Sequence, residues 1–347
     1  KKRQYEKRQG QGQELIISMA GVALGKSKHY FTVKDKGVLL HKAPGNHVQF
    51  ISILDPSISI SGYAIEYCAE NKIPIDYYAD GKPLARIGAY ETVNTEMLKH
   101  QFDALHNAKG KLFAKAIVSG KITNQVNFLK YQSKYLKGKK LDVYENIQSN
   151  IIQMQLIKKE LNNFDSTIEL SDYSAQLFSV EGRAASYYWN SITLIIGNKS
   201  DFTGRVRQGA VDVVNVLLNY GYGILYTRVW DAILKTGLNP HISYLHTSQP
   251  DKPSLSFDII EIFRQDCVDR VVIALVNKNT SIEVTYGKLG DETKNKLVTA
   301  ILSRLHTVII YKGTRLNLIE VIRAQVAELK NFLTGSASSF NPYSFKW

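Results

Sequence analysis

The chain has 347 residues, which at roughly 100–200 residues per domain predicts two domains. Hydrophobic residues make up 44% and charged residues 22%, values that exclude a wholly disordered chain. The 44 Lys and Arg exceed the 31 Asp and Glu by a formal charge of +13, which favours a polyanionic partner, nucleic acid before membrane lipid. A basic protein with no nucleic-acid role is the alternative at this stage.

Cysteine usage restricts the chemistry further. Cys68 and Cys267 are the only two cysteines and lie far apart in the chain. They exclude a disulfide framework and a cysteine-based zinc cluster. The sequence therefore favours a reducing, cytoplasmic setting.

The N-terminal residues contain a motif that we reject as a nucleotide site. Residues 1–13 are basic and Gln-rich, and we interpret them as a tail or linker. The segment AGVALGKS (20–27) fits a relaxed phosphate-loop pattern, which requires a helix directly after it. Because the continuation alternates apolar and polar residues with period two, it predicts a β-hairpin instead.

Residues 14–92 read as a small, mostly β domain. Turn residues separate short runs rich in β-branched and aromatic side chains, namely FTVK, GVLLH, VQFISIL, ISISG, IPIDYYAD and LARIGAY. One segment, SGYAIEYCAENK (61–72), has apolar residues at helical spacing and predicts a helix.

Residues 93–347 show apolar residues at steps of three and four and few prolines, which predicts an all-α domain. The fold class is therefore α+β, with the two kinds of element segregated along the chain. The most apolar stretch, 211–230, carries Asp212 and Arg228, so we interpret it as a buried helix and expect no membrane association.

Three segments of the helical domain place a possible metal ligand among apolar neighbours. Glu181 lies in SAQLFSVEGRAASYYWNSI, and the turn GLNPHISYLHTS carries His241 and His246. Asp258 and Glu261 lie three residues apart in a predicted helix that Ser254 would cap. Each signal alone has an ordinary explanation, because a buried Glu is commonly paired with Arg, a turn His is commonly a hydrogen-bonding residue, and an acidic pair is commonly solvated.

Together the three segments describe a site of carboxylates and an imidazole. Such ligands suit Mg²⁺ or Mn²⁺ better than zinc when no thiolate is present. In a basic protein this site would serve phosphodiester chemistry. The sequence does not show that the three segments meet in space.

At these residues the sequence resembles the family of CRISPR-associated protein one, the spacer-acquisition integrase and metal-dependent DNA endonuclease. The resemblance spans roughly residues 14–345. It rests on EGRAASYYW (181–189), VDVVNVLLNYGYGILY (211–226), GLNPHISYLH (237–246) and SLSFDIIEIFRQDCVDR (254–270), with weaker agreement at GKITNQ (120–125) and at RLNLIEVIRAQVAELKNFL (315–333). The segment FTGRVRQGAVD departs from the family pattern, which leaves the shape of that loop open.

The resemblance implies the roles of the candidate residues. The family's metal ligands fall on Glu181, His246 and Glu261, and Asp258 falls where some relatives carry a second acidic residue near the metal. His241 is then a turn or DNA-proximal residue. The implied reaction joins the 3′-hydroxyl ends of captured double-stranded DNA into the CRISPR repeat by metal-dependent transesterification, as part of antiviral defence, with endonuclease activity at the same site.

The resemblance also implies partners. These are a second copy of the chain, paired through the N-terminal domain into a homodimer, and CRISPR-associated protein two. Arg205, Arg207 and Arg264 are the candidate phosphate contacts, with structural ion pairs as the alternative. Some relatives carry an upstream reverse transcriptase, and a start without Met would fit a module cut from such a fusion, although trimming of the chain explains it too.

Two other functions remain open from the residues. The protein could be a DNA-binding structural subunit whose acidic residues are ordinary ion-pair partners. It could also be a metal-dependent phosphohydrolase of small phosphate esters, in which case the positive charge would be incidental.

Overall fold

The computed structural model describes residues 13–79, 82–89, 94–246, 252–278 and 280–346. The chain divides into two compact units, one up to Thr92 and one from Val93. The fold is α+β, as the sequence predicted, with a β-rich first unit and a mostly helical second unit. The predicted tail, residues 1–13, lies outside the described residues except for Gln13, which begins the first strand.

The first unit contains eight strands and one α-helix among its described residues. These are β1 Gln13–Ile17, β2 Ala23–Ser27, β3 Tyr30–Asp35, β4 Val38–Pro44, β5 Val48–Ile53, β6 Ser59–Ile60, α1 Gly62–Glu70, β7 Ile75–Ala79 and β8 Lys82–Ile87. One sheet has the order β1-β5-β7-β8, and the other has the order β4-β3-β2-β6. Fully buried apolar side chains, among them Leu24, Phe31, Ile51 and Ile75, form the core of this unit.

The β2–β3 pair confirms that AGVALGKS is not a phosphate loop. The strands are antiparallel, and Ser27 pairs with Tyr30 across the turn. No helix therefore begins after Lys26 whose N-terminus could bind phosphate. The predicted helix is confirmed as α1, and Ser61 caps it by accepting a hydrogen bond from the Ala64 amide at 3.3 Å.

The second unit is built from nine α-helices among its described residues. They are α2 Thr95–His106, α3 Ala108–Ser133, α4 Leu141–Glu160, α5 Leu170–Ile196, α6 Val213–Thr236, α7 Ser254–Ile260, α8 Arg270–Asn277, α9 Asp291–Leu305 and α10 Leu318–Thr334. A π-helical segment, Gln265–Asp269, connects α7 to α8. Within the described part of the chain, no helix has both the length and the apolar character to cross a membrane.

The prediction of an all-α second unit was wrong in one respect. Two short antiparallel hairpins interrupt the helices, formed by β9 Val284–Thr285 with β10 Lys288–Leu289 and by β11 Val308–Tyr311 with β12 Thr314–Asn317. Both turns place residues at positive φ, with Tyr286 and Gly287 in one and Lys312 and Gly313 in the other. Such paired positive-φ turns favour hairpins, whereas strands this short leave almost no alternating pattern to detect.

The long helices α3, α5 and α6 form the frame that carries the candidate site. Helix α6 begins at the N-cap Asp212, whose side chain accepts from the Asn215 amide at 2.9 Å, and it is buried along nearly its whole length. It packs closely on the π-helical segment at Gly221. A Cβ at Gly221 would lie 2.6 Å from Val268 Cγ1 and 2.9 Å from Ile301 Cδ1.

We expect Gly221→Ala to lower the free energy of unfolding by about 1–3 kcal/mol, because the added methyl overpacks this contact. Gly182→Ala is the matched control, since Gly182 is also inside a helix but, apart from its chain neighbours and the backbone of its own helix, nothing lies within 4 Å of its Cβ position. The control is expected to be neutral or stabilising by up to about 1 kcal/mol. Denaturant unfolding followed by circular dichroism measures both, and equal midpoints for the two variants would contradict the packing argument.

Candidate active site

Two glutamates from distant parts of the chain meet on one buried lysine. Lys121 of α3 donates from Nζ to Glu181 Oε1 of α5, and the same Nζ lies 2.6 Å from Glu261 Oε2. The exposed fractions are only 5% for Lys121, 7% for Glu181 and 2% for Glu261. The fold therefore brings two of the three predicted ligands to a single positive charge.

Glu261 also binds a second cation. It lies just after the end of α7, and its Oε1 is 2.7 Å from Arg264 Nη1. Burial would raise the pKa of Glu261, but the charges of Arg264, Lys121 and His246 outweigh it and hold the pKa below its usual range. Glu261 is therefore a carboxylate at neutral pH.

Asp258 has a different role from the one that the sequence suggested. Its Oδ2 accepts from the backbone amides of Tyr244 and Leu245 at 2.9 and 3.1 Å. Its Oδ1 accepts from the amide of His246 at 2.9 Å and lies 2.9 Å from Nδ1 of the same residue. Both oxygens therefore fix the histidine loop, and a role of Asp258 as a metal ligand stays a prediction.

The helical spacing predicted for Asp258 and Glu261 is retained. Helix α7 ends at Ile260, and Glu261 follows it as the C-cap with α-helical backbone angles, while the two carboxylates contact different groups. Ser254, by contrast, is not the N-cap, because α7 begins at Ser254 itself and its hydroxyl donates to His241 O at 3.3 Å. The real N-cap is Pro253, which has no side chain able to bind the helix amides.

His246 lies beside the glutamates. Its ring centroid is 5.3 Å from that of Phe178, which is one turn before Glu181 on α5. Burial by itself lowers the pKa of His246. The hydrogen bond and charge of Asp258, followed by the charges of Glu261 and Glu181, act in the opposite direction and together outweigh burial, so the pKa lies above its usual value. With Nδ1 on Asp258, the nitrogen left for a ligand is Nε2, as in metal-binding histidines oriented by a carboxylate.

The donor atoms of Glu181, Glu261 and His246 are of the types that bind a hard divalent cation. Two carboxylates and an imidazole are suitable donors for Mg²⁺ or Mn²⁺. Glu181 Oε2 is buried and has no hydrogen-bond partner in the described structure, which is costly for a carboxylate oxygen unless a cation binds it. However, no three His, Cys, Asp or Glu among the described residues are already close enough together to hold a metal ion. Lys121 occupies the centre of the glutamate pair instead.

The residues predicted to contact DNA differ in whether their side chains already bind other groups of the protein. Arg205 donates to Asn215 Oδ1 at 3.0 Å and to Asn219 Oδ1 at 2.6 Å, while Arg264 pairs with Glu261. Both guanidinium groups also lie over the Tyr222 ring, at 5.4 and 4.7 Å from its centroid. Both guanidinium groups are therefore held by neighbouring side chains, and their contact with DNA stays a prediction.

Arg207 and His241 are the more accessible candidates. Arg207 is exposed, and across the described ranges its guanidinium has no hydrogen-bond or ion-pair partner. His241 is also exposed, and its amide donates to Asn239 Oδ1 at 2.8 Å, which agrees with a role in the turn. Of the three arginines, Arg207 has the side chain most available for a phosphate.

Sequence reasoning missed two buried polar groups next to the site. Lys121 lies in GKITNQ, a segment that the resemblance covered only weakly, and its signal was a lysine within an apolar helical run. The other is Asp269, which accepts from the hydroxyls of Tyr188 and Tyr222 at 2.7 and 2.6 Å. Burial raises the pKa of Asp269 to about 6, although these hydrogen bonds oppose the rise.

The fold and the site define a class, an α+β protein whose helical unit holds a buried acidic pair beside a carboxylate-oriented histidine. The family model described as CRISPR associated protein Cas1 matches residues 15–302. The chain belongs to this Cas1 family.

Similar proteins cover nearly the whole chain. The CRISPR-associated endonuclease Cas1 1 of Archaeoglobus fulgidus is 27% identical over 346 residues, which span 96% of this chain and 99% of that protein. A casposase solved bound to its integration product has a TM-score of 0.81 at 22% identity and covers 96% of this chain and 94% of its own. A Cas6-RT-Cas1–Cas2 complex has a TM-score of 0.78 at 19% identity, covering 99% of this chain but 37% of that one. The structural likenesses show a shared fold.

We expect Asp258→Asn to lower the pKa of His246, because the variant loses the negative charge that stabilises the imidazolium. In the wild type, the pKa of His246 is higher in the folded than in the unfolded chain, so protonation of His246 stabilises the fold at pH values below the unfolded-state pKa. This contribution is lost as the pH rises through the folded-state pKa. NMR titration of the histidine rings in chelator measures the shift. Glu160→Gln is the control, since Glu160 pairs with Arg183 at the surface. An unchanged His246 pKa in Asp258→Asn would contradict the assigned role.

Proposed function

We propose that this protein is a CRISPR adaptation integrase with an associated DNA endonuclease activity, and that Glu181, His246 and Glu261 are its metal ligands. One observation carries the proposal: two buried carboxylates from α5 and from the end of α7 converge on one cation, beside a histidine that Asp258 orients. Family membership and the names of the curated relatives support the reaction class.

The chain's own groups account for binding and orientation. Asp258 holds the His246 ring through Nδ1, so that Nε2 is available, and Arg264 holds Glu261 in its ionised form. A divalent cation bound by Glu181, Glu261 and His246 would polarise the scissile phosphodiester. In the joining step, the 3′ oxygen of the captured DNA forms a bond to phosphorus while the 3′ oxygen of the repeat strand leaves. Because one phosphodiester replaces another, the step needs no nucleotide cofactor.

The proposed partners are double-stranded DNA, a second copy of this chain and CRISPR-associated protein two. The solved neighbour that contains Cas1 and Cas2 components supports the last of these, and the same neighbour keeps a fused or associated reverse transcriptase among the expected partners. The formal charge of +13 supports DNA binding, which should weaken steeply as salt increases.

We expect Glu181→Ala to abolish strand transfer while leaving DNA affinity nearly intact, because the substitution removes a ligand but no phosphate contact. The assay uses an oligonucleotide donor and a repeat-containing plasmid with Mn²⁺, Mg²⁺ or chelator, and chelator should abolish joining by the wild type. Glu160→Ala is the matched control, a surface glutamate whose side chain is 45% exposed. Joining at the normal rate by Glu181→Ala would refute the site assignment. Turnover of a small phosphate ester but not of DNA would instead favour the phosphohydrolase.

We expect Arg207→Ala to weaken binding of duplex DNA about equally for all sequences and to reduce the salt dependence by about one phosphate contact. The reason is that Arg207 is exposed and its guanidinium contacts no carboxylate in the described structure. Fluorescence anisotropy at several salt concentrations gives the slope. Arg207→Lys keeps the charge and should recover most of the affinity. A slope that does not change in Arg207→Ala would remove this residue from the DNA interface.

A further inference from the structure

The lysine between the two glutamates takes the position that a metal ion would need. Its Nζ contacts one oxygen of Glu181 and one of Glu261, and its side chain is almost fully buried. These are the same two carboxylates that the proposed function assigns to the metal. We propose that Lys121 is a resident counter-ion, which holds the two glutamates together in the metal-free protein and has to leave them before a divalent cation can bind.

The two cations exclude each other for reasons of space and charge. Metal–oxygen distances for Mg²⁺ are about 2.0–2.1 Å, so an ion bound to both carboxylates would lie where the ammonium now is. The ammonium would then be within a few ångströms of a double positive charge in a buried region, where repulsion is screened weakly. Metal binding and the Lys121 ion pairs are therefore alternatives.

The same geometry explains why a cation is needed when no metal is bound. Two buried carboxylates held at one ammonium repel each other, and each has lost its hydration. Lys121 offsets both costs for Glu181 and Glu261. The ammonium thereby keeps the two glutamates together, although no three acidic or histidine side chains among the described residues are arranged around one ion.

An acceptor for the displaced ammonium lies on the same helix. Gln125 is four residues after Lys121 on α3, so the two side chains share a face. Gln125 is 2% exposed, and its Oε1 has no hydrogen-bond partner within the described structure. A buried carbonyl oxygen without a partner is costly, and an ammonium that moves toward it would satisfy it.

The test measures Mn²⁺ affinity by titration calorimetry on the full chain without DNA. We expect Lys121→Met to bind Mn²⁺ about ten-fold or more tightly than the wild type, because no ammonium competes for the carboxylates and the binding-competent state is no longer depopulated. The variant should also melt at a lower temperature in chelator and gain more from Mn²⁺ than the wild type does.

Lys158→Met is the matched control. Lys158 is another partly buried lysine of the helical unit, but its Nζ donates to Thr123 Oγ1 at 2.6 Å rather than to a carboxylate. Its removal should leave Mn²⁺ affinity unchanged. If Lys121→Met does not fold even with Mn²⁺, Lys121→Gln replaces it, since a neutral amide can still donate to one glutamate, and it too should bind Mn²⁺ more tightly.

The outcomes separate this inference from the proposed function on which it rests. If the wild type binds Mn²⁺, Glu181→Gln does not, and the Lys121 variant that folds binds no more tightly than the wild type, the competition is refuted while the metal site stands. If the wild type, Glu181→Gln and the folded Lys121 variant all fail to bind Mn²⁺, the metal site itself is refuted. If only the Lys121 variants bind Mn²⁺ more tightly than the wild type, the result supports the role of Lys121 as a counter-ion.

Discussion

The candidate active site depends on the compensation of two buried negative charges by neighbouring cations. Glu181 and Glu261 are both almost fully buried, and burying one carboxylate without a partner costs several kcal/mol. The cost is offset because Lys121 contacts both and Arg264 contacts the second. Any change that removes one of these cations leaves a buried negative charge, so the helices α3 and α5 and the segment after α7 must keep their positions relative to one another.

The surrounding hydrogen bonds keep those positions. Asp258 accepts from three successive backbone amides and thereby fixes the loop that presents His246. Nearby, Tyr222 lies under Arg264 and donates to Asp269, which ties α6 to the π-helical segment. Acidic residues thus have two different roles here: Glu181 and Glu261 converge on a cation, whereas Asp258 and Asp269 use their oxygens to position neighbouring groups.

Much of the first unit could be predicted because its strands are short, alternating and separated by turn residues. The β2–β3 hairpin and the helix α1 with its Ser61 cap follow from local pattern alone. The β9–β10 hairpin in the second unit could not be predicted in the same way, because its strands have two residues each. The spacing of Asp258 and Glu261 predicted their helical placement but not their different partners, because those partners lie in other segments of the chain.

The sequence by itself determined the fold class, the basic charge and the residue types that could hold a metal, because composition and periodicity are local properties. Only the tertiary structure decided which acidic residues converge, since Glu181 and Glu261 are eighty positions apart in the chain. It also showed that the Asp258 carboxylate accepts hydrogen bonds from backbone amides and that Lys121, from a third distant helix, lies between the glutamates. Ion pairs between distant segments leave no periodic signal in the sequence, because their geometry exists only once the helices have packed.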